Sequence, residues 1–162
     1  HIAEYTYSTD TEALERMKQS AELGVADMVF FAVDGSRVAN VRAHMDSIAA
    51  YGTSQVNPGS ASVASLSNMR FIDMPWMVEP DNSMVARYAR SGVRQSDDFE
   101  RLYALGVDAF RVAEKLRDGK ENAELDGVTG KLKLGADHQF RRSLLLTLIE
   151  GGKLIVLGEA DR

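Results

Sequence analysis

Apolar positions along this chain change their spacing several times, and each change marks an element. Leu14, Met17 and Ala21 recur at helical intervals, which predicts an amphipathic helix. Thr9-Asp10-Thr11-Glu12 before it has the Thr and Glu spacing of a capping box, and Gly24 after it is a stop. Ala3 to Tyr7 reads as a short strand ahead of that helix. Met28 to Val33 is continuously apolar over the length of a strand, the pattern of a parallel strand covered on both faces, and it is the candidate for the central strand. Asp34-Gly35-Ser36 breaks the run and opens a second helix, with Val38, Val41, Met45 and Ile48 on its buried side and Tyr51-Gly52 at its end. Thr53 to Val56 then reads as a third strand, closed by the turn Asn57-Pro58-Gly59.

Ser60 to Ser67 is small and polar and reads as a linker. Met69 to Ile72 is extended and runs into Asp73-Met74-Pro75-Trp76; a strand containing proline belongs at an edge or a crossover, because proline cannot donate to the ladder. Pro80-Asp81 precedes a short helix over Ser83 to Arg90. From Asp98, Phe99, Leu102, Gly106, Ala109, Phe110, Ala113 and Leu116 share one face of a long helix that ends at Asp118-Gly119, and that face is predicted to be buried. Gly106 costs about 1 kcal/mol in a helix interior, which predicts close packing against another backbone. Gly127 and Gly130 bracket Val128-Thr129 ahead of an alternating strand over Lys131 to Leu134. A turn at Gly135 to Asp137, an extended run from Phe140 to Leu148, a turn at Glu150 to Gly152 and a strand from Leu154 to Leu157 complete the chain as antiparallel hairpins. Strands alternating with helices before them argue for an α/β fold with a parallel sheet and right-handed crossovers.

Composition narrows the partners more than the fold. The 162 residues carry a net charge of -5 with 44% hydrophobic content, ordinary for one domain or part of a larger one. Basic residues are scattered, which argues against nucleic acid, since phosphate neutralisation needs a concentrated basic face. No cysteine is present, so neither disulfides nor thiolate metal sites arise. No run approaches the roughly 20 apolar residues of a membrane span.

Candidate chemistry is sparse. His1, His44 and His138 lack ligand spacing, so no metal is expected, and no cofactor motif appears. Asp97-Asp98 reads as a helix start, where carboxylates offset the dipole. Asp34, Gly35 and Ser36 lie at the carboxyl end of a predicted strand and open a helix, where ligands of open α/β sheets bind. Ser54 and Gln55 are candidate cleft-lining groups, and Trp76, the single tryptophan, serves either as a packing residue or as a stacking surface for a ligand.

The order AELGVADMVFFAV, YGTSQV, MRFIDMPWMV, LYALGVDAFRVAEKL and LDGVTGKLKLGADHQFRRSLL resembles the LppC lipoprotein family from about Ala21 to Leu157. That resemblance implies the two-lobed fold of type I periplasmic binding proteins, with three-layer parallel-sheet lobes. Residues 1–59 would supply a βαβαβ part of the second lobe, 60–80 a linker and interlobe crossing, and 81–162 the returning segment with its antiparallel hairpins. Asp34 to Ser36 would then face the interlobe cleft. Relative to the family, the lipobox cysteine, the N-terminal helical-repeat domain and the opening half of the module are not found here, so the chain reads as a fragment whose exposed strand edges would self-associate.

The resemblance further implies a non-catalytic regulator at the periplasmic face of the outer membrane, which activates a peptidoglycan synthase, a class A penicillin-binding protein, by direct contact. A solute-binding module for an amino acid, a peptide or a cell-wall fragment is the alternative. A small α/β enzyme stands third, because groups suited to catalysis are present but unorganised.

Overall fold

The computed structural model describes residues 4–22, 26–45, 48–57, 59, 63–90, 96–117 and 124–160. Its contacts gather the chain into two units, His1–Ile72 with Thr147–Ile155, and Asp73–Leu146 with Val156–Arg162.

In the first unit, α1 (Thr11–Glu22) precedes β1 (Met28–Phe31), α2 (Gly35–Arg42), β2 (Ala49–Gly52) and β3 (Met69–Asp73). β1 and β3 both pair parallel to β2, with Phe31 opposite Gly52 and Gly52 opposite Phe71. The strand order is β1-β2-β3, continued by β6 (Phe140–Glu150), where the Asn68 amide donates to the Ile149 carbonyl at 2.7 Å. Val38, Ala50, Val56, Leu66, Met69, Phe71 and Ile149 are buried in this unit.

Several expectations are corrected here. β1 is an edge strand, not the central one: β2 is its partner among the described residues, and Met28 and Phe30 are 54% and 58% exposed while Phe31 is buried. A continuous apolar run shows that no polar residue interrupts a strand, and it leaves the number of neighbours undetermined. Residues 4–7 form no strand. The Tyr5 hydroxyl instead shares a hydrogen bond with Ser20 Oγ, and Asn40 Nδ2 donates to the Tyr7 hydroxyl. Asp10 caps α1 in place of Thr9, its carbonyl accepting from Leu14 N and its carboxylate from Glu12 N; Gly24 lies outside the described residues.

The second helix is shorter than its pattern. It stops at Arg42, and Tyr51-Gly52 belong to β2. Met45 and Ile48 are still buried, but beyond the helix. The buried Arg42 guanidinium donates to the carbonyls of Met45 and Ile48, which satisfies groups that a continuing helix would have paired. Ser54–Val56 is a 3-10 turn, not a strand, and Thr53 Oγ1 accepts from Gln55 N at its start. Within the predicted linker, Val63–Leu66 forms a second 3-10 turn with Leu66 buried.

The second unit holds α3 (Pro75–Val78), α4 (Asp97–Arg117), β4 (Glu124–Gly127), β5 (Gly130–Leu134), most of β6, and the end of β7 (Lys153–Ala160). β4, β5 and β6 pair antiparallel, and β7 pairs with β6. The hairpins expected at the C-terminal end are therefore present, with β4 an addition. Pro75 starts a helical turn at its first position, where its missing N–H costs nothing, so β3 contains no proline and pairs on both sides. The helix expected over Ser83 to Arg90 is reduced to the 3-10 turn Val85–Arg87.

α4 has the predicted length but turns the opposite face inward. Ala104 and Asp108 are buried, whereas Leu102 is 63% and Phe110 65% exposed, with Phe99, Leu105 and Leu116 also exposed. A Cβ built on Gly106 meets nothing within 4 Å, so the close backbone packing expected there does not occur among the described residues. The reason lies on the other face. Glu100, Arg101, Asp108 and Lys115 all find partners in the second unit, and charged groups that cannot be buried alone dictate which side must meet them.

Candidate functional site

Asp34, Gly35 and Ser36 follow β1, and Ser54 and Gln55 follow β2, so five of the six candidate residues come from the carboxyl ends of two adjacent parallel strands. The fold brings them together. A Cβ on the buried Gly35 would lie 2.7 Å from the Val56 carbonyl oxygen, so only glycine lets the start of α2 approach the 53–56 turn this closely.

Asp34 caps α2: its Oδ1 accepts from Arg37 N at 3.0 Å and from the Ser36 hydroxyl, and Arg37 Nε lies 3.2 Å from its Oδ2. The Ser36 hydroxyl first, then the Arg37 amide and guanidinium, hold the Asp34 carboxyl below the ordinary carboxylate value. The Arg37 guanidinium also sits 5.6 Å from the centre of the Tyr7 ring. Ser54 is half-buried and Gln55 exposed. The arrangement offers an exposed hydroxyl, a side-chain amide and a helix N-terminus at one strand end, chemistry suited to orienting a polar ligand. The Ser36 hydroxyl and the Arg37 amide share Asp34 Oδ1 as the cap of α2.

Trp76 lies elsewhere, at the centre of the second unit. Its ring is fully buried, Nε1 donates to Glu100 Oε2 at 2.9 Å, and its backbone amide donates to the Val128 carbonyl at 2.9 Å. Arg90 stacks 4.5 Å from the ring centre and donates to the Trp76 carbonyl, while Tyr103 meets the ring at 5.6 Å, tilted by 52°. Packing accounts for every side of this indole.

The polar network around Trp76 was missed at the level of sequence. Asp108 accepts from the Val128 and Thr129 amides and from the Thr129 hydroxyl, and Arg101 pairs with the buried Asp73 at 2.8 Å. Its signal is the spacing of Glu100, Arg101, Asp108 and Arg111 around Ala104, a polar helical stripe on the side opposite the apolar one. His44 lies in a turn after α2, not within the helix, and His138 in a turn. No group of three or more metal-ligating side chains occurs among the described residues.

A family model described as "LppC putative lipoprotein" matches residues 13–147. The Penicillin-binding protein activator LpoA of Histophilus somni (strain 129Pt) is 23% identical over 146 residues, covering 83% of this chain and 25% of its own length. Among solved structures, a putative branched-chain amino acid ABC transporter of Chromobacterium violaceum is 39% identical with a TM-score of 0.73, over 86% of this chain and 46% of that one. The LpoA C-domain of Haemophilus influenzae, described as a regulator of PBP1A, is 16% identical with a TM-score of 0.66, over 89% and 49%. The fold is thus the expected one, mixed α/β of the type I periplasmic binding protein kind. The chain spans about a quarter of the curated relative and about half of each solved chain.

Proposed function

The chain belongs to the LppC putative lipoprotein family, and on that premise we propose that it is part of a non-catalytic envelope regulator that activates a class A penicillin-binding protein by protein contact. The family match over residues 13–147, together with curated relatives named penicillin-binding protein activators, carries this reading. The natural place for such a contact is the periplasmic face of the outer membrane, where a lipid-anchored protein can reach a peptidoglycan synthase. The capping duty of Asp34, which accepts from the Arg37 amide and the Ser36 hydroxyl, supports a non-catalytic role.

The test is direct. The purified chain is immobilised and offered class A penicillin-binding proteins, and glycan polymerisation by the captured synthase is followed with and without it. Capture with a raised synthase rate is the expected result; no capture and no change in rate would overturn the reading.

A second reading is favoured by one observation, the 39% identity to the putative branched-chain amino acid ABC transporter. In it the chain contributes to a solute-binding module, with Asp34, Gly35, Ser36, Ser54 and Gln55 at the mouth of a ligand cleft. Under this reading a branched-chain amino acid or a muropeptide raises the melting temperature, because a ligand that binds only the folded state stabilises it by about 2.7 kcal/mol at a hundredfold excess over Kd.

A further inference from the structure

We propose that the outer edge of β7 pairs with the same edge of a second copy of this chain, forming an antiparallel strand-to-strand dimer. The inference rests on β7 alone and stands apart from the regulatory reading above. The strand runs unbroken over Lys153–Ala160 and has β6 as its strand partner among the described residues, so the backbone groups on its other edge lack a ladder. Gly151 and Gly152, with φ of 56° and 73°, form the two-residue turn between Glu150 and Lys153. Such a turn sets its two flanking residues to exchange both backbone hydrogen bonds. The phase follows: the odd-numbered residues of β7 bond to β6, while Leu154, Val156 and Gly158 present N–H and C=O outward. Ile149 agrees with it, since its carbonyl turns away from β7 to accept from the Asn68 amide.

Side chains select the occupant and fix the register. Lys153, Ile155, Leu157 and Glu159 are exposed, whereas Leu154, Val156 and Ala160 are half-buried, so the exposed face reads as one cation, two apolar groups and one anion. A two-fold axis perpendicular to the sheet at Val156 keeps that face on the same side of both strands. It sets Lys153 opposite Glu159 of the second copy, and Ile155, 38% exposed, opposite Leu157, 49% exposed. These are the closely spaced positions of an antiparallel ladder, and the hydrogen-bonded positions between them supply about six backbone bonds. Moving the axis to Ile155 or Leu157 sets a charge against an apolar side chain, so the pattern matches itself in one register. Glu159 already meets Lys131 of its own chain, and a carboxylate has acceptor sites for a second cation.

The edges of β4 and β1 are less suited. The outward carbonyls of β4 are taken by α4, where Arg111 donates to the Asp126 carbonyl at 2.9 Å and Lys115 to that of Glu124. β1 is half as long, four residues against eight, and holds no charge that would set a register.

A pair of strand edges buries less than the roughly 1,600 Å² of a standard stable interface, so this dimer depends on concentration. Sedimentation equilibrium of the purified chain tests it, alongside K153E and E159K, each alone and the two mixed. Both substitutions alter exposed side chains, so circular dichroism should match the parent chain. Either variant alone sets like charges opposite each other and should dimerise at least about tenfold more weakly. Mixed in equal amounts, the two restore opposite charges at both ends of the pair, and a heterodimer of parental strength should form. Amide exchange on the parent chain needs no substitution and decides the matter should a variant lose its fold. Leu154, Val156 and Gly158 should gain protection as concentration rises, and Ile155 and Leu157 should not. A parent chain that stays monomeric, a dimer indifferent to both charge changes, or a mixture no stronger than its components overturns the proposal. So does protection of those three amides only when a class A penicillin-binding protein is added, which would give the edge to a synthase.

Discussion

Asp108 and Thr129 are joined twice: one carboxylate oxygen of Asp108 accepts both the Thr129 amide at 2.8 Å and the Thr129 hydroxyl at 2.7 Å. The other oxygen takes the Val128 amide at 3.1 Å and Arg111 Nη1 at 3.1 Å. The turn between β4 and β5 is thereby pinned to α4, and the Val128 carbonyl then receives the Trp76 amide. Replacing Asp108 with Ala strands two buried amides and a hydroxyl, each worth about 1–3 kcal/mol when left unpaired. D108A should therefore lower unfolding free energy by about 3 kcal/mol or more in urea, and T129V by about 1 kcal/mol. A D108A loss under 1 kcal/mol would show that water replaces the carboxylate.

α4 also shows where sequence reading succeeds and where it stops. Length, ends and amphipathicity were legible, because a helical period is a local property. Which face turns inward was not, since that depends on partners more than twenty residues away in sequence, such as Asp73 for Arg101 and Trp76 for Glu100. β1 fails in the same way: Met28 to Phe31 is a strand, but its place at the sheet edge is a matter of neighbours. Of the candidate site, Asp34, Gly35 and Ser36 were placed correctly at a strand-to-helix turn. Ser54 and Gln55 were assigned to a strand four residues late, because Ile48, Ala49 and Ala50 continue the helical period of Val41 and Met45.

Two glycine substitutions should move stability in opposite directions. Gly35→Ala drives a methyl to within 2.7 Å of the Val56 carbonyl oxygen, backbone that cannot rotate away, and should cost about 1–3 kcal/mol. Gly106→Ala meets nothing within 4 Å and should stabilise the isolated chain by about 1 kcal/mol through helix propensity. Thermal or urea denaturation separates them. G106A loss of stability would mean that something already packs against that point.

Acid sensitivity should centre in part on Asp34. Its carboxyl is held below the ordinary value of 3.8, first by the Ser36 hydroxyl and then by the Arg37 amide. A depressed folded-state pKa contributes stability that is present above the unfolded value and is lost as pH falls through the folded one. The stability that Asp34 contributes is thus present above about pH 3.8 and is lost as pH falls below it. Ser36→Ala should raise the Asp34 titration midpoint toward that ordinary value, read by carboxyl NMR, and D34N should flatten the acid limb of the stability curve. An unmoved midpoint in S36A would remove the hydroxyl as the main cause.

Arg101 and Asp73 make the sharpest energetic prediction, because a buried carboxylate depends on the cation beside it. Asp73 is 1% exposed, and Arg101 Nη2 lies 2.8 Å from its Oδ2. Arg101→Met removes the guanidinium that meets this buried carboxylate at 2.8 Å, a loss of up to about 3–5 kcal/mol. Asp73 Oδ1 has a second duty, accepting the Met74 amide at the start of α3 at 2.8 Å. Adding Asp73→Asn to Arg101→Met removes the buried charge while an amide oxygen can still accept from Met74. The double variant should therefore unfold at higher urea than R101M alone, although it carries one more substitution. If it unfolds at lower urea, the pair does not act as a buried charge with its counter-ion, and the inward orientation of α4 needs another cause.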